Sequence, residues 1–247
     1  RAFSPRVGLV YKPTASTALF ASYSNSFAPN TGTDIYYRAL SPSIIDQFEL
    51  GVKNDFFKGL LSANLTLYMI VNNNLAQTAQ FDSAGNENSN INLKELVGET
   101  NSKGAELDIT VRPVNNLSIT AGYSYNDMRY SKTPDTKGSF IEGERLVNTP
   151  QHTANGSVFY TFNSFAVKGL KIGASVFYTG KRYGGYNNTV GQTQQYSRLI
   201  PVDGFTTIDL SAGYSIKHIS FMAKLSNLSN TFSYIVHENY SVNPIAP

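Results

Sequence analysis

An all-β fold, an antiparallel transmembrane β-barrel, is what this sequence predicts, and three observations predict it. Apolar residues fall on every second position in ten separate segments, the mark of strands with one greasy and one polar face. The connections between those segments run short, long, short, long along the whole chain. Only 15 % of the residues are charged while Tyr (16) and Phe (15) abound, whereas soluble domains carry roughly 25 % charge.

The segments justify themselves in order. Residues 3–11 set Val7, Leu9 and Tyr11 against Arg6, Gly8 and Val10, then turn at 12–16. Residues 17–27 set Leu19, Ala21 and Tyr23 against Phe20, Ser22 and Ser24, and a long loop fills 28–43. In residues 44–54, Phe48, Leu50 and Val52 oppose Gln47, Glu49, Gly51 and Lys53. Residues 60–71 are the clearest case, with Leu61, Ala63, Leu65, Leu67, Met69 and Val71 alternating with Ser62, Asn64, Thr66 and Tyr68. A loop rich in Asn and Gln follows at 72–93.

The stretch 96–111 organises the chain: Ala105, Leu107, Ile109 and Val111 alternate with Glu106, Asp108, Thr110 and then Arg112. A face bearing charge is foreign to a sandwich core and ordinary for a plugged or water-filled lumen. Residues 117–126 repeat the pattern, and the loop 127–150 holds most of the local charge. Strands are expected again at 151–162, 170–180, 206–214 and 219–226, with a Gly/Asn/Gln/Tyr-rich loop at 181–198 and a loop-like tail from 227.

Long structureless connections are uncommon in compact soluble domains. Tight turns at one end of antiparallel strands and long loops at the other describe an outer-membrane barrel. A β-sandwich with alternating faces is the bland alternative, which period two by itself does not exclude.

Composition narrows the function classes. The net charge of +3 and the lack of any Lys/Arg run speak against nucleic acid as a partner. There is no cysteine, hence no disulfide scaffold or thiolate metal site. No apolar run approaches the ~18 residues that a membrane helix needs, so a bilayer would be crossed with strands. The sequence opens Arg1-Ala2-Phe3 without an initiator Met or signal segment, and the N-terminus is read as interior to a longer or processed protein.

Several segments resemble one family. They are Ser4-Pro5-Arg6-Val7-Gly8 through Tyr11-Lys12-Pro13, Tyr23-Ser24-Asn25-Ser26-Phe27, and Phe48-Glu49-Leu50-Gly51-Val52-Lys53. Further on come Gly98-Glu99 with Ser102-Lys103-Gly104-Ala105-Glu106, Asn148-Thr149-Pro150-Gln151-His152, and Leu225-Ser226-Asn227-Leu228. In this order and spacing they resemble the TonB-dependent outer-membrane receptors, with the ferric-siderophore branch fitting best. The resemblance implies a 22-stranded barrel in the bacterial outer membrane, filled by an N-terminal plug through which the TonB complex acts. Residues 1–247 would then be the C-terminal portion of the barrel domain, about ten strands, with plug and closing strand absent. Ten strands do not close a barrel of that size, so two open edges require partners.

The functional expectations follow. Arg6, Glu49, Lys53, Glu106, Asp108 and Arg112 are expected on the lumen side, paired with each other, with water or with the plug. In the long loops, Tyr36, Tyr37, Arg38, Arg182, Tyr183 and Tyr186 are the candidate substrate contacts. Aromatic faces suit flat siderophore ligands and Arg suits their anionic oxygens; interfacial anchoring or loop–loop packing is the competing reading. His152, His218 and His237 lie far apart without metal-ligand spacing, and no G-x-S-x-G element appears. No catalytic residue, resident metal or cofactor is expected, iron entering only as a ferric-siderophore substrate. A passive porin, or a surface-binding protein anchored by a barrel, is the alternative function.

Overall fold

The computed structural model describes residues 3–79, 81–96, 98–133, 140–163, 167–186, 198–216, 218–236 and 242–245. Ten strands form one sheet: β1 (Arg6–Tyr11), β2 (Thr17–Ala28), β3 (Ser43–Phe56), β4 (Leu61–Asn73), β7 (Glu99–Val114), β8 (Leu117–Lys132), β9 (His152–Thr161), β10 (Lys171–Thr179), β13 (Phe205–Ile216) and β14 (Ile219–Leu225). Their order in the sheet is their order in the chain, each antiparallel to its neighbours. Three hairpins stand apart: β5 (Ala76–Thr78) with β6 (Lys94–Leu96), β11 (Arg182–Tyr186) with β12 (Arg198–Val202), and β15 (Ser233–Val236) with β16 (Val242–Ile245).

Cross-strand register explains the two faces. Leu19, Val52, Leu65, Leu107, Tyr123, Ala154 and Tyr178 follow one another across seven strands. One step toward the tight turns, Ala63, Ile109, Ala121, Gly156, Val176 and Ile208 form the next row. Because side chains alternate, the rows between are polar: Glu49 beside Tyr68, and Thr66 beside Glu106 and Ser124. The apolar face is uncovered: Leu50 is 58 % exposed and Phe221 62 %. Buried hydrophobic residues are instead few and lie mostly among the loops, where Tyr130 stacks on Phe140 with ring centroids 4.2 Å apart. A face this greasy and this unpartnered needs a solvent other than water.

The polar face carries a feature of its own. Aromatic rings from one strand lie over glycines of the next: Phe20 over Gly51, Tyr68 over Gly104, and Phe159 over Gly173. Each glycine leaves bare backbone that the neighbouring ring covers, which pins register as well as filling space.

The sequence-based bounds need five corrections. β7 begins at Glu99 and β8 continues to Lys132, so the ladder runs on past the point where apolar alternation stops. Asp127–Lys132 therefore belong to a strand and not to a loop. The loops at 72–93 and 181–198 and the tail from 227 each contain strand residues, in β5, β11 and the β15–β16 hairpin. These hairpins are three to five residues long per strand, too short for a period to show. No helix among the described residues is long and apolar enough to cross a membrane, which says nothing of strands.

Candidate functional site

Antiparallel strands taken in order put alternate connections at opposite ends, so every long connection emerges from one end of the sheet. The loop between β2 and β3 is built around Asp34. Its Oδ1 accepts the backbone N–H of Tyr36 (2.9 Å) and of Arg38 (2.8 Å), and its Oδ2 accepts the Arg38 guanidinium Nε (2.7 Å). The Arg38 backbone N–H, ahead of its guanidinium and the Tyr36 N–H, holds the Asp34 carboxyl below the ordinary range. The Arg38 guanidinium also lies 5.1 Å from the centre of the Tyr36 ring. Tyr36, Tyr37 and Arg38 are thus brought together on one tip, with Tyr37 73 % exposed.

That tip is anchored to the next long loop. Thr33 N–H donates to Asn92 O at 3.0 Å and Lys94 N–H donates to Thr33 O at 2.7 Å. Asn30 Nδ2 donates to the carbonyls of Ser41 and Asn74, and the Ser43 hydroxyl donates to Asn74 O. Two loops far apart in sequence therefore behave as one body. Nothing in period or composition signals this, because every acceptor is a main-chain carbonyl and the donors are main-chain N–H groups or single Asn and Ser side chains.

The second expected group is arranged differently. Arg182 is only 7 % exposed, its Nη2 donates to Tyr234 O, and its guanidinium lies 5.5 Å from the Phe205 ring centre. Burial pushes its pKa down, and its Nη1 has no partner among the described residues. Arg182 ties the β11–β12 hairpin to β15, while Tyr183 O accepts the Asn148 N–H at 2.7 Å. Tyr183 is 41 % exposed. Tyr186 pairs through its backbone with Arg198, and its side chain lies outside the described residues. The two loop groups are not neighbours in the fold, since four strands separate β3 from β10 in the sheet.

Arg6, Glu49, Lys53, Glu106 and Asp108 fall on the polar face by register, while Arg112 sits in the register shift between Val111 and Val114, its N–H donating to Leu60 O. The partners of Glu49 and Lys53 are neutral. Ser22 Oγ and Gln47 Nε2 donate to the two oxygens of Glu49 at 3.1 and 2.6 Å, and Lys53 Nζ sits 5.4 Å from the Phe20 ring centre. Asp108 lies between Asn64 and Gly122. Among the described residues none of the six forms an ion pair with another. Glu49 and Glu106 line a cavity of about 410 Å³ together with Gln47, Tyr68, Thr100 and Ser102. The oxygens Asn72 Oδ1 and Thr100 Oγ1, on its wall, lack partners among the described residues. Among the described residues its lining is rich in acceptors and lacks a cation.

His152 packs between Tyr123 and Tyr125, with Nδ1 2.7 Å from the Tyr123 hydroxyl, and His218 sits in the tight turn before β14. His237 lies outside the described residues.

Comparison with known proteins bears on this geometry. Residues 1–228 match the model of the family described as TonB dependent receptor-like, β-barrel. The metal-pseudopaline receptor CntO of Pseudomonas aeruginosa is 29 % identical over 238 residues, covering 96 % of this chain and 30 % of its own length. The ferric-pyoverdine 358 receptor of Pseudomonas putida is 28 % identical over 236 residues, covering 93 % of this chain and 25 % of its own length. The solved ferripyoverdine receptor of the Pseudomonas aeruginosa outer membrane superposes with a TM-score of 0.75 at 22 % identity, over 99 % of this chain and 31 % of that one. The chain thus spans about a third or less of these relatives. The match is to receptor barrels, and it sets the porin alternative aside.

Proposed function

This chain belongs to the TonB-dependent receptor-like β-barrel family, and on that premise we propose that it forms part of the wall of an energised outer-membrane receptor for ferric siderophores. The observation that carries this reading is the two-faced sheet: rows of exposed Leu, Ile, Val and Tyr on one side and acceptor-rich polar rows on the other. The apolar rows meet lipid, the polar rows line the lumen, and the long loops stand outside the cell. The names of the relatives support the substrate class, since one is a ferric-pyoverdine receptor.

Within this reading each residue has a task. Tyr36 and Tyr37 offer ring faces, and Arg38 keeps donors open because Asp34 engages only its Nε. Arg182 positions the β11–β12 hairpin that carries Tyr183 and Tyr186. Glu49, Glu106 and the cavity between them receive donors from a plug, and Arg6, Lys53, Asp108 and Arg112 extend the same polar wall. The TonB complex would act through that plug, and iron is cargo rather than a resident group.

Siderophore-supported growth of a deletion strain under iron limitation tests the reading. Loss of growth on one ferric siderophore, restored by the gene, is expected. Unchanged uptake of every siderophore the parent strain uses would overturn it. The likeness to a metal-pseudopaline receptor gives the assay a second arm: growth limited by another transition metal would identify a different chelate as cargo.

A further inference from the structure

Follow one row across the apolar face, a step toward the long loops from Leu50, Leu67 and Ala105. It reads Val7, Tyr23, Phe48 and Met69, then turns abruptly into Lys103 and Asp127. The next step pairs Asn101 with Arg129, and the next Glu99 with Lys132. In these rows the cations are confined to the top of β7 and β8, since the charge that the Asn101 row places on β3 is the carboxylate of Asp46. Immediately below it lie Tyr123, Tyr125 and His152, amphipathic rings of the kind that settle at a membrane–water boundary.

The cluster is held in shape. Arg129 Nε donates to both oxygens of Asp127 at 3.0 and 2.9 Å, and its Nη1 donates to Gly143 O at 2.9 Å. Arg145 approaches Asp127 at 3.5 Å, and Lys132 Nζ meets Glu99 at 2.7 Å. Yet the Arg129 side chain stays 47 % exposed and that of Lys132 74 %, and Lys103 is exposed as well. A hollow of about 250 Å³ opens between the strands and the following loop, bordered by Asn101, Lys103, Arg129, Ser131 and Glu142.

We propose that this hollow seats the phosphorylated sugar headgroup of an outer-leaflet glycolipid. The proposal rests on the reading that the apolar face meets lipid with the long loops outside. Lys103 and Arg129 supply charge-assisted bonds to phosphate oxygens. Asn101, Ser131 and Glu142 match the array of hydroxyls on a sugar ring, of which a glycerol headgroup offers only a pair. Asp127 holds the Arg129 fork in place without covering it. The same row on β2–β4 is apolar, so the seat is one localised site and not a uniform collar.

The test uses the whole protein extracted in detergent from the membrane in which it is made. Native mass spectrometry of the bound glycolipid compares the wild type with Lys103→Gln, Lys103→Gln/Arg129→Gln and, as control, the exposed Lys181→Gln. Retention is expected to fall on the order of tenfold in the double variant, less in the single one, and not at all in the control. Equal retention in all four proteins overturns the seat while leaving the barrel intact, as does equal retention of phosphatidylglycerol offered in competition. A wild type that stays dispersed without detergent overturns the seat and the membrane reading together.

Discussion

The Tyr68 ring of β4 rests on Gly104 of β7 so closely that a β-carbon at Gly104 would stand 2.3 Å from the ring and 2.3 Å from the Tyr125 carbonyl oxygen. The ring can rotate away, but the carbonyl belongs to the ladder and cannot. Gly104→Ala should therefore lose about 1–3 kcal/mol to overpacking, despite the entropy that alanine normally recovers. Gly8→Ala is the control, since its nearest atom would be 3.9 Å away. Urea titration of the folded barrel checks both, and equal midpoints would refute the ring-on-glycine account.

A lysine on the apolar face should cost most where the face is deepest in lipid. Leu65→Lys and Val176→Lys, in the central rows, should lose about 2–4 kcal/mol. Ile172→Lys, one residue inside the tight-turn end of β10, should lose less, and Thr66→Lys on the polar face should be tolerated. Folding into lipid vesicles with and without denaturant measures the series. Equal tolerance on both faces would contradict a lipid-facing wall.

Gly32 has φ +88°, and a β-carbon there would fall 2.4 Å from Asn92 O. Gly32→Val should separate the first two long loops. Amide exchange at Lys94, whose N–H donates to Thr33 O, should accelerate well before any strand amide does.

Asp34 gives a pH dependence with a definite sign. Its carboxyl is held below the ordinary Asp value, first by the Arg38 backbone N–H. Its contribution to loop order is complete above the unfolded value of about 3.9 and is lost as pH falls through the lower folded value. Exchange protection of the Arg38 amide should be flat from neutral pH down to about 4 and drop below it. In Asp34→Asn that protection should already be reduced at neutral pH.

Tyr37 is offered to solvent at a loop tip, whereas Arg182 is enclosed. If ferric siderophore meets the tip, Tyr37→Ala should weaken its binding a few-fold, in line with about 0.5–1.5 kcal/mol per aromatic contact. Binding titrations with the whole receptor decide, and an unchanged affinity would remove Tyr37 from the contact set.

The ten strands of the sheet were legible because a lipid-facing strand must alternate over its full membrane depth, and Leu61 to Met69 or Leu107 to Val111 do so without interruption. The upper ends were not legible, for a physical reason: above the membrane both faces of a strand meet water or loops, so the ladder through Glu99–Lys103 and Asp127–Lys132 carries no hydrophobic period. The candidate loop residues divided in the same way. Tyr36 and Arg38 group locally around Asp34, which spacing could suggest, while the burial of Arg182 depends on β15, some fifty residues onward, and no local pattern reports that. The charged seat beside Lys103 needed register, since Lys103 and Asp127 become neighbours only when β7 and β8 pair.

Strands β7 and β8 are sixteen residues long, while β9 has ten and β10 has nine. At about 3.3 Å per residue, β8 runs on for roughly 20 Å beyond its last pairing with β9, at Tyr125 and His152, while β4 keeps pace with β7 as far as Asn73 and Glu99. Above β9 and β10 the ladder ends, and the β11–β12 hairpin stands in its place, joined to the preceding loop at Asn148. The upper edge of β8 is instead closed by its own following loop, through Leu146 N–H on Met128 O and Tyr130 N–H on Glu144 O, so no other chain adds a strand there.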